Sequence, residues 1–179
     1  MKLNAENRRD LLEVLEVAAS QSDWGAPLPE GWGRGVACHA TWNSTPVAIV
    51  AEVSVDGGGQ CQVHRVVCAV DCGIAINPDM VEAQMEGGIV FGLTAALKGS
   101  GITFENGRVQ QSNFHDFPLW RFDEMPRIEV HIIPSSRLPH GVGEMSTPPL
   151  IPAIANAIFS ATGKRIRHLP ITRADLAQA

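Results

Sequence analysis

Residues 46–55 and 61–70 are two runs of β-branched and small apolar side chains on either side of Asp56-Gly57-Gly58-Gly59-Gln60. Strand-forming residues flanking a glycine-rich turn are the strongest hairpin signal in the chain, so its first half is committed to antiparallel sheet. Residues 35–42 add a strand before the pair, and the alternation Ile128-Glu129-Val130-His131-Ile132 adds another within 126–134. Helical spacing appears in 4–20, where Leu11, Leu12, Leu15 and Ala18 or Ala19 make one buried face. Between that helix and the first strand, residues 21–35 read as a long ordered loop pinned by Trp24 and Trp32.

Two further helices have clear ends. Asn77 is placed to cap a helix over 78–97, with Pro78 in the first position, where a missing N–H costs nothing. A second helix runs over 147–162, with Ser146 or Thr147 as its cap, Pro148 or Pro149 in its first turn and Gly163 to end it. Asn106-Gly107 predicts a short hairpin between 102–104 and 108–110. Residues 112–125 read as irregular, anchored by Phe114, Phe117, Leu119, Trp120 and Phe122, and a short final strand is expected at 166–169. The expected class is α+β: a mixed, mostly antiparallel sheet with two packed helices, forming a single domain over 1–179 in which 1–33 is a peripheral helix and loop.

Composition narrows the function classes. With a net charge of −5 and Lys and Arg spread along the 179 residues, there is no electrostatic footprint for nucleic acid or an anionic membrane. Only 18% of the residues are charged, which leaves few to cover the surface and points to a partner interface. Asp10, Glu13 and Glu16 follow Arg8-Arg9 where a leader would need apolar residues, and the run 87–97 is too short to span a bilayer. The cytoplasm is the expected location, with export as part of a complex left open. Cys38, Cys61, Cys68 and Cys72 match neither zinc nor iron–sulfur spacings and read as structural, with Cys61 and Cys68, in or next to a strand, as small buried hydrophobes.

Two stretches carry chemistry. The helix over 78–97 holds Gln84 together with Gly87, Gly88 and Gly92. Each interior glycine costs about 1 kcal/mol relative to alanine, which asks for close approach of another backbone or of a ligand. Gln84 lies one turn before Gly88, beside that bare patch; a glycine-lined helix crossing with an exposed Gln84 accounts for the same residues. The second stretch is Pro139-His140-Gly141-Val142-Gly143-Glu144-Met145-Ser146-Thr147-Pro148-Pro149. Its glycines flank Val142 and let backbone turn sharply or meet a ligand, and Glu144 stands beside a helix N-terminus. Taken locally, it is also a βα turn with a surface glutamate.

Taken together, residues 71–93 (Asp-Cys-Gly-Ile-Ala-Ile-Asn-Pro through Gly-Gly-Ile-Val-Phe-Gly-Leu) and Gly141-Val-Gly-Glu-Met-Ser-Thr-Pro-Pro resemble the C-terminal part of the molybdenum-binding subunit of the xanthine oxidase family. Ser112-Asn-Phe-His-Asp-Phe-Pro and Ala155-Asn-Ala-Ile-Phe-Ser-Ala-Thr-Gly-Lys-Arg resemble its branch of isoquinoline 1-oxidoreductase β-subunits and aldehyde oxidoreductases. The resemblance implies hydroxylation of a carbon next to nitrogen or oxygen with oxygen from water, on an N-heterocycle or an aldehyde. It implies a molybdopterin cofactor, in bacterial members usually the cytosine dinucleotide, with Glu144 as general base and Gln84 hydrogen-bonded to the cofactor. Met80, Val81, His140, Gly141, Val142 and Gly143 would supply further cofactor contacts, mostly through backbone. Full family subunits are several times longer. The remaining part of the molybdenum-binding subunit and a [2Fe–2S] subunit that takes the electrons are therefore the implied partners, and this chain alone offers one wall of the cofactor cleft. The rival readings are a non-catalytic truncated fragment that binds no cofactor alone and a stand-alone module for a small ligand.

Overall fold

The computed structural model describes residues 5–41, 45–98 and 101–177. In chain order the elements are α1 (Ala5–Gln21), β1 (Trp32–Thr41), β2 (Thr45–Val55), β3 (Cys61–Val70) and α2 (Pro78–Leu97). There follow β4 (Phe104–Glu105), β5 (Arg108–Val109), β6 (Arg127–Ile132), α3 (Thr147–Thr162) and α4 (Arg173–Leu176). The glycine-rich turn does make a hairpin. One sheet runs β1-β2-β3-β6, antiparallel through its first three strands, with β6 parallel to β3. The fold is α+β, as the sequence implies.

Both faces of the sheet are covered, which is why the run from Val47 to Val53 is apolar almost without a break and nearly all of it is fully buried. Val47, Ile49, Ala51, Val66, Cys68 and Val70 face α2 and α3, while Ala48, Val50, Val67 and Ala69 face α1. α3 rests directly on the backbone of β1. A Cβ on Gly33 would lie 2.1 Å from the Ala157 carbonyl oxygen, and one on Gly35 would lie 2.2 Å from the Ala157 nitrogen.

A row of alternating charge crosses the α1 face. Arg34 on β1 pairs with Glu52 on β2 at 2.7 Å, and Arg65 on β3 pairs with Glu129 on β6 at 2.6 Å. The same guanidinium groups donate to the Asp23 and Gln21 carbonyls at 2.8 Å each, supplying the cation that the last turn of α1 lacks. The hydrogen bond from Arg65 holds the Glu129 carboxyl below the usual carboxylate range.

Several expectations need correction. β1 begins at Trp32, inside the segment read as loop, because Trp32 pairs with Ser54 and stacks on His64. Trp42, expected in that strand, lies outside the described residues. α1 buries Val14 and Ala18, with Leu15 and Val17 partly covered, while Leu12 is exposed. Trp120 packs on the core, but Phe114 and Phe122 stand in solvent. Residues 166–169 form no strand: Ile166 packs singly between exposed Arg165 and Arg167, and no described strand completes a ladder with them.

Gly35→Val should lower the stability of the chain by about 3 kcal/mol or more, because the displaced atoms are helix backbone; an unchanged urea midpoint would show that α3 does not sit on β1. A depressed Glu129 pKa contributes stability that is complete above about pH 4.3 and is lost as pH falls through the lower folded value. Glu129→Gln should therefore flatten the loss of thermal stability below that pH.

Candidate functional site

The parallel pairing of β3 with β6 sends the chain out of both strands at the same end of the sheet, and there the two segments are tied together. From β3 it runs through Asp71, Cys72 and Gly73 to Asn77, whose side chain accepts the Met80 amide at 3.2 Å and caps α2. After β6 the chain returns alongside: the Ile74 amide donates to the Arg137 carbonyl at 3.0 Å and the His140 amide to the Cys72 carbonyl at 2.8 Å. The buried Asp71 carboxylate accepts from Arg137 at 2.5 Å and from the Gly73 amide at 2.9 Å. The loop that follows is therefore fixed before it reaches Glu144.

α3 then crosses α2. At Gly88 an added Cβ would stand 2.2 Å from Ser146 Oγ, and at Gly92 it would stand 2.8 Å from Leu150 Cδ2. Those two glycines serve the helix crossing, whereas Gly87 has open space above it. Gly87 lines a cleft of about 500 Å³ together with Gln84, Gly88, Phe91, Gly143, Glu144, Thr147 and Pro148. Gln84 and Glu144 are exposed there, and neither side chain has a hydrogen-bond or ion-pair partner among the described residues. An adjoining hollow of about 240 Å³ shares Gln84 and is lined by Met80, Val81, His140 and Val142, with Ile74 and Ile76 on its rim.

The structure thus brings Gln84, Gly143 and Glu144 together on one cleft and places Met80, Val81, His140 and Val142 in the hollow beside it. Gly141 lines neither, and its carbonyl accepts the Thr45 hydroxyl at 3.0 Å. Phe91 escaped the sequence reading, although it falls seven residues after Gln84 on the same helix face. Ser146 and Thr147, expected as caps, send their hydroxyls to the Met85 and Gly88 carbonyls of α2 instead. Asp116 is a turn acceptor: hydrogen bonds from Asn113 and Ser112 bring its pKa down to about 2.

Burial pushes the Cys61 and Cys68 thiols up to about 12, far from the thiolate a metal requires. Among the described residues no three His, Cys, Asp or Glu side chains gather where an ion would sit, and no helix is long and apolar enough to cross a membrane. Another hollow, of about 420 Å³, lies between the β2–β3 turn and the C-terminal residues. There Lys98 pairs with Glu124 and Arg173 with Gln60, and none of the residues expected to catalyse or to hold a cofactor is present.

Residues 20–126 match the molybdopterin cofactor-binding domain. The chain belongs to that family. It is 38% identical over 169 residues to the isoquinoline 1-oxidoreductase β-subunit of Brevundimonas diminuta, covering 92% of this chain and 21% of that protein. It is 40% identical over 127 residues to one of the subunits of nicotinate dehydrogenase from Pseudomonas putida, covering 70% of this chain and 11% of that protein. The aldehyde oxidoreductase of Desulfovibrio desulfuricans superposes with a TM-score of 0.65 at 28% identity, over 74% of this chain and 15% of the other. The molybdopterin cofactor-binding match takes in Gln84 but stops short of Glu144, whereas a span of 92% of the chain includes both. This chain therefore spans about a fifth or less of the length of these relatives.

Because the Gln84 amide and the Glu144 carboxylate hold nothing else in place, Gln84→Ala and Glu144→Gln should each leave the thermal stability of this chain within about 0.5 kcal/mol. A larger loss by denaturant titration would make either residue part of the fold.

Proposed function

We propose that this chain is part of a molybdenum hydroxylase that oxidises an N-heterocycle or an aldehyde with oxygen from water, and that Glu144 is its general base. The observation that carries the reading is the pairing of an unpartnered carboxylate with an unpartnered amide across one cleft, in a molybdopterin-binding family. The cleft fits such a group: Gly87 and Gly143 leave backbone bare for a flat ring system, and Gln84 brings both a donor and an acceptor. When bound, the molybdopterin supplies a metal centre that acidifies water and takes up two electrons.

The chain's own residues then divide the work. Glu144, exposed to the cleft, takes the proton of the attacking oxygen, for which it must come within hydrogen-bond reach. Gln84 would orient the cofactor through its amide, and Met80, Val81, His140 and Val142, which line the adjoining hollow, would supply further contacts to it. Gly141 contributes through the shape of the loop, its carbonyl being engaged by Thr45. Ile74, Ile76, Met80 and Leu138 are exposed apolar residues around this site, and the rest of the molybdenum-binding subunit is the partner that would cover them. The cytosine dinucleotide form of the cofactor and iron–sulfur clusters on a further chain complete the proposed assembly, located by default in the cytoplasm.

In the complex assembled with the rest of the subunit, Glu144→Gln should keep its molybdenum by elemental analysis and lose turnover by about 10²-fold or more. Turnover within twofold of the parent would remove Glu144 from the mechanism. A complex without molybdenum would leave the chain a non-catalytic domain.

A further inference from the structure

The loop that presents Glu144 is held on both flanks by hydroxyl groups that the cofactor reading does not use. On one side Thr45, 1% exposed at the head of β2, donates to the Gly141 carbonyl at 3.0 Å. On the other side Ser146, fully buried, donates to the Met85 carbonyl at 2.8 Å, and Thr147 donates to the Gly88 carbonyl at 2.8 Å. A serine at a helix start ordinarily turns back to cap its own amides. Ser146 does not: its backbone is helical, with φ −81° and ψ −24°, and it makes no cap bond.

Both acceptors are interior carbonyls of α2, which have a second lone pair free for a hydroxyl. Met85 directly follows Gln84, and Gly88 lies one turn beyond it, so the bonds grip the backbone that carries Gln84. Gly88 is what allows the grip, since any side chain there would meet Ser146 Oγ at 2.2 Å. We propose that Ser146, supported by Thr147, is a positioning residue for Glu144. Its hydroxyl locks the start of α3 to α2 so that Glu144 and Gln84 face one another as one rigid unit. The inference rests on the reading of Glu144 as the base, for which a misplacement of about 1 Å costs on the order of 10²-fold in rate.

Ser146→Ala removes the bond without adding bulk. In the assembled complex it should leave molybdenum content and KM within twofold of the parent, lower kcat about 10- to 100-fold, and cause no further loss when added to Glu144→Gln. The double variant Gly88→Ala/Ser146→Ala, whose new methyl takes the space the hydroxyl leaves, should fold and show the same low kcat. Hydrogen exchange at the amides of 143–147 should quicken about tenfold in this chain carrying Ser146→Ala. A kcat within twofold of the parent, loss of molybdenum, or a further loss on top of Glu144→Gln overturns the proposal in favour of a purely structural serine. If Glu144→Gln itself turns over normally, the base reading fails, and unchanged exchange at 143–147 then overturns the clamp as well.

Discussion

Where α3 crosses α2, α2 has no room for a side chain. A Cβ at Gly88 would stand well inside van der Waals contact distance of Ser146 Oγ, and one at Gly92 would crowd Leu150. Two interior glycines cost about 2 kcal/mol in helix propensity. That loss is offset by the burial the crossing permits: Met85, Ile89 and Leu93 of α2 and Leu150, Ile154 and Ile158 of α3 are all fully buried in one core. The close approach also decides where the residues just before α3 must lie. Glu144 precedes the crossing by so few residues that it has to emerge beside the turn of α2 that carries Gln84.

The sheet sets the rest of the geometry. A parallel pair needs a crossover, and here α2 lies on the path from β3 to β6. Its N-terminus therefore stands at the end of the sheet where the chain also leaves β6. Asp71, the Cys72 carbonyl and Thr45 all lie at that end, and each holds part of the segment from Arg137 to Gly141. The arrangement follows the general preference of open sheets for ligand crevices beyond the carboxyl ends of parallel strands. On the opposite face the row Arg34, Glu52, Arg65 and Glu129 links all four strands to the end of α1.

Much of this was legible from local patterns. The turn Asp56-Gly57-Gly58-Gly59-Gln60, the Asn77-Pro78 helix start and the left-handed Gly163 that ends α3 all express short-range chemistry. Wherever a side chain's role depends on a distant partner, the local reading ran out. Leu12 and Phe122 have the composition of buried residues but nothing packs over them. Residues 166–169 were expected as a strand, but only the partly buried Ile166 packs on the core, between exposed arginines. The hydroxyls of Ser146 and Thr147 looked like caps, and only the presence of α2 offers them other acceptors.

By itself, then, the sequence determined most of the elements and the sheet class, and it singled out Gln84 and Glu144 as the candidate pair. The glycines in a helix and around a carboxylate are costly or unusual enough to stand out locally, but each stretch also has an ordinary local reading, and only the resemblance of the two together to one family set Gln84 and Glu144 apart. Only the tertiary structure decided what each glycine is for. Gly88 and Gly92 admit α3, Gly87 and Gly143 face the cleft, and Gly141 gives its carbonyl to Thr45. An absent side chain reads the same in a sequence whether a helix, a ligand or solvent fills the space it leaves, and only packing tells them apart.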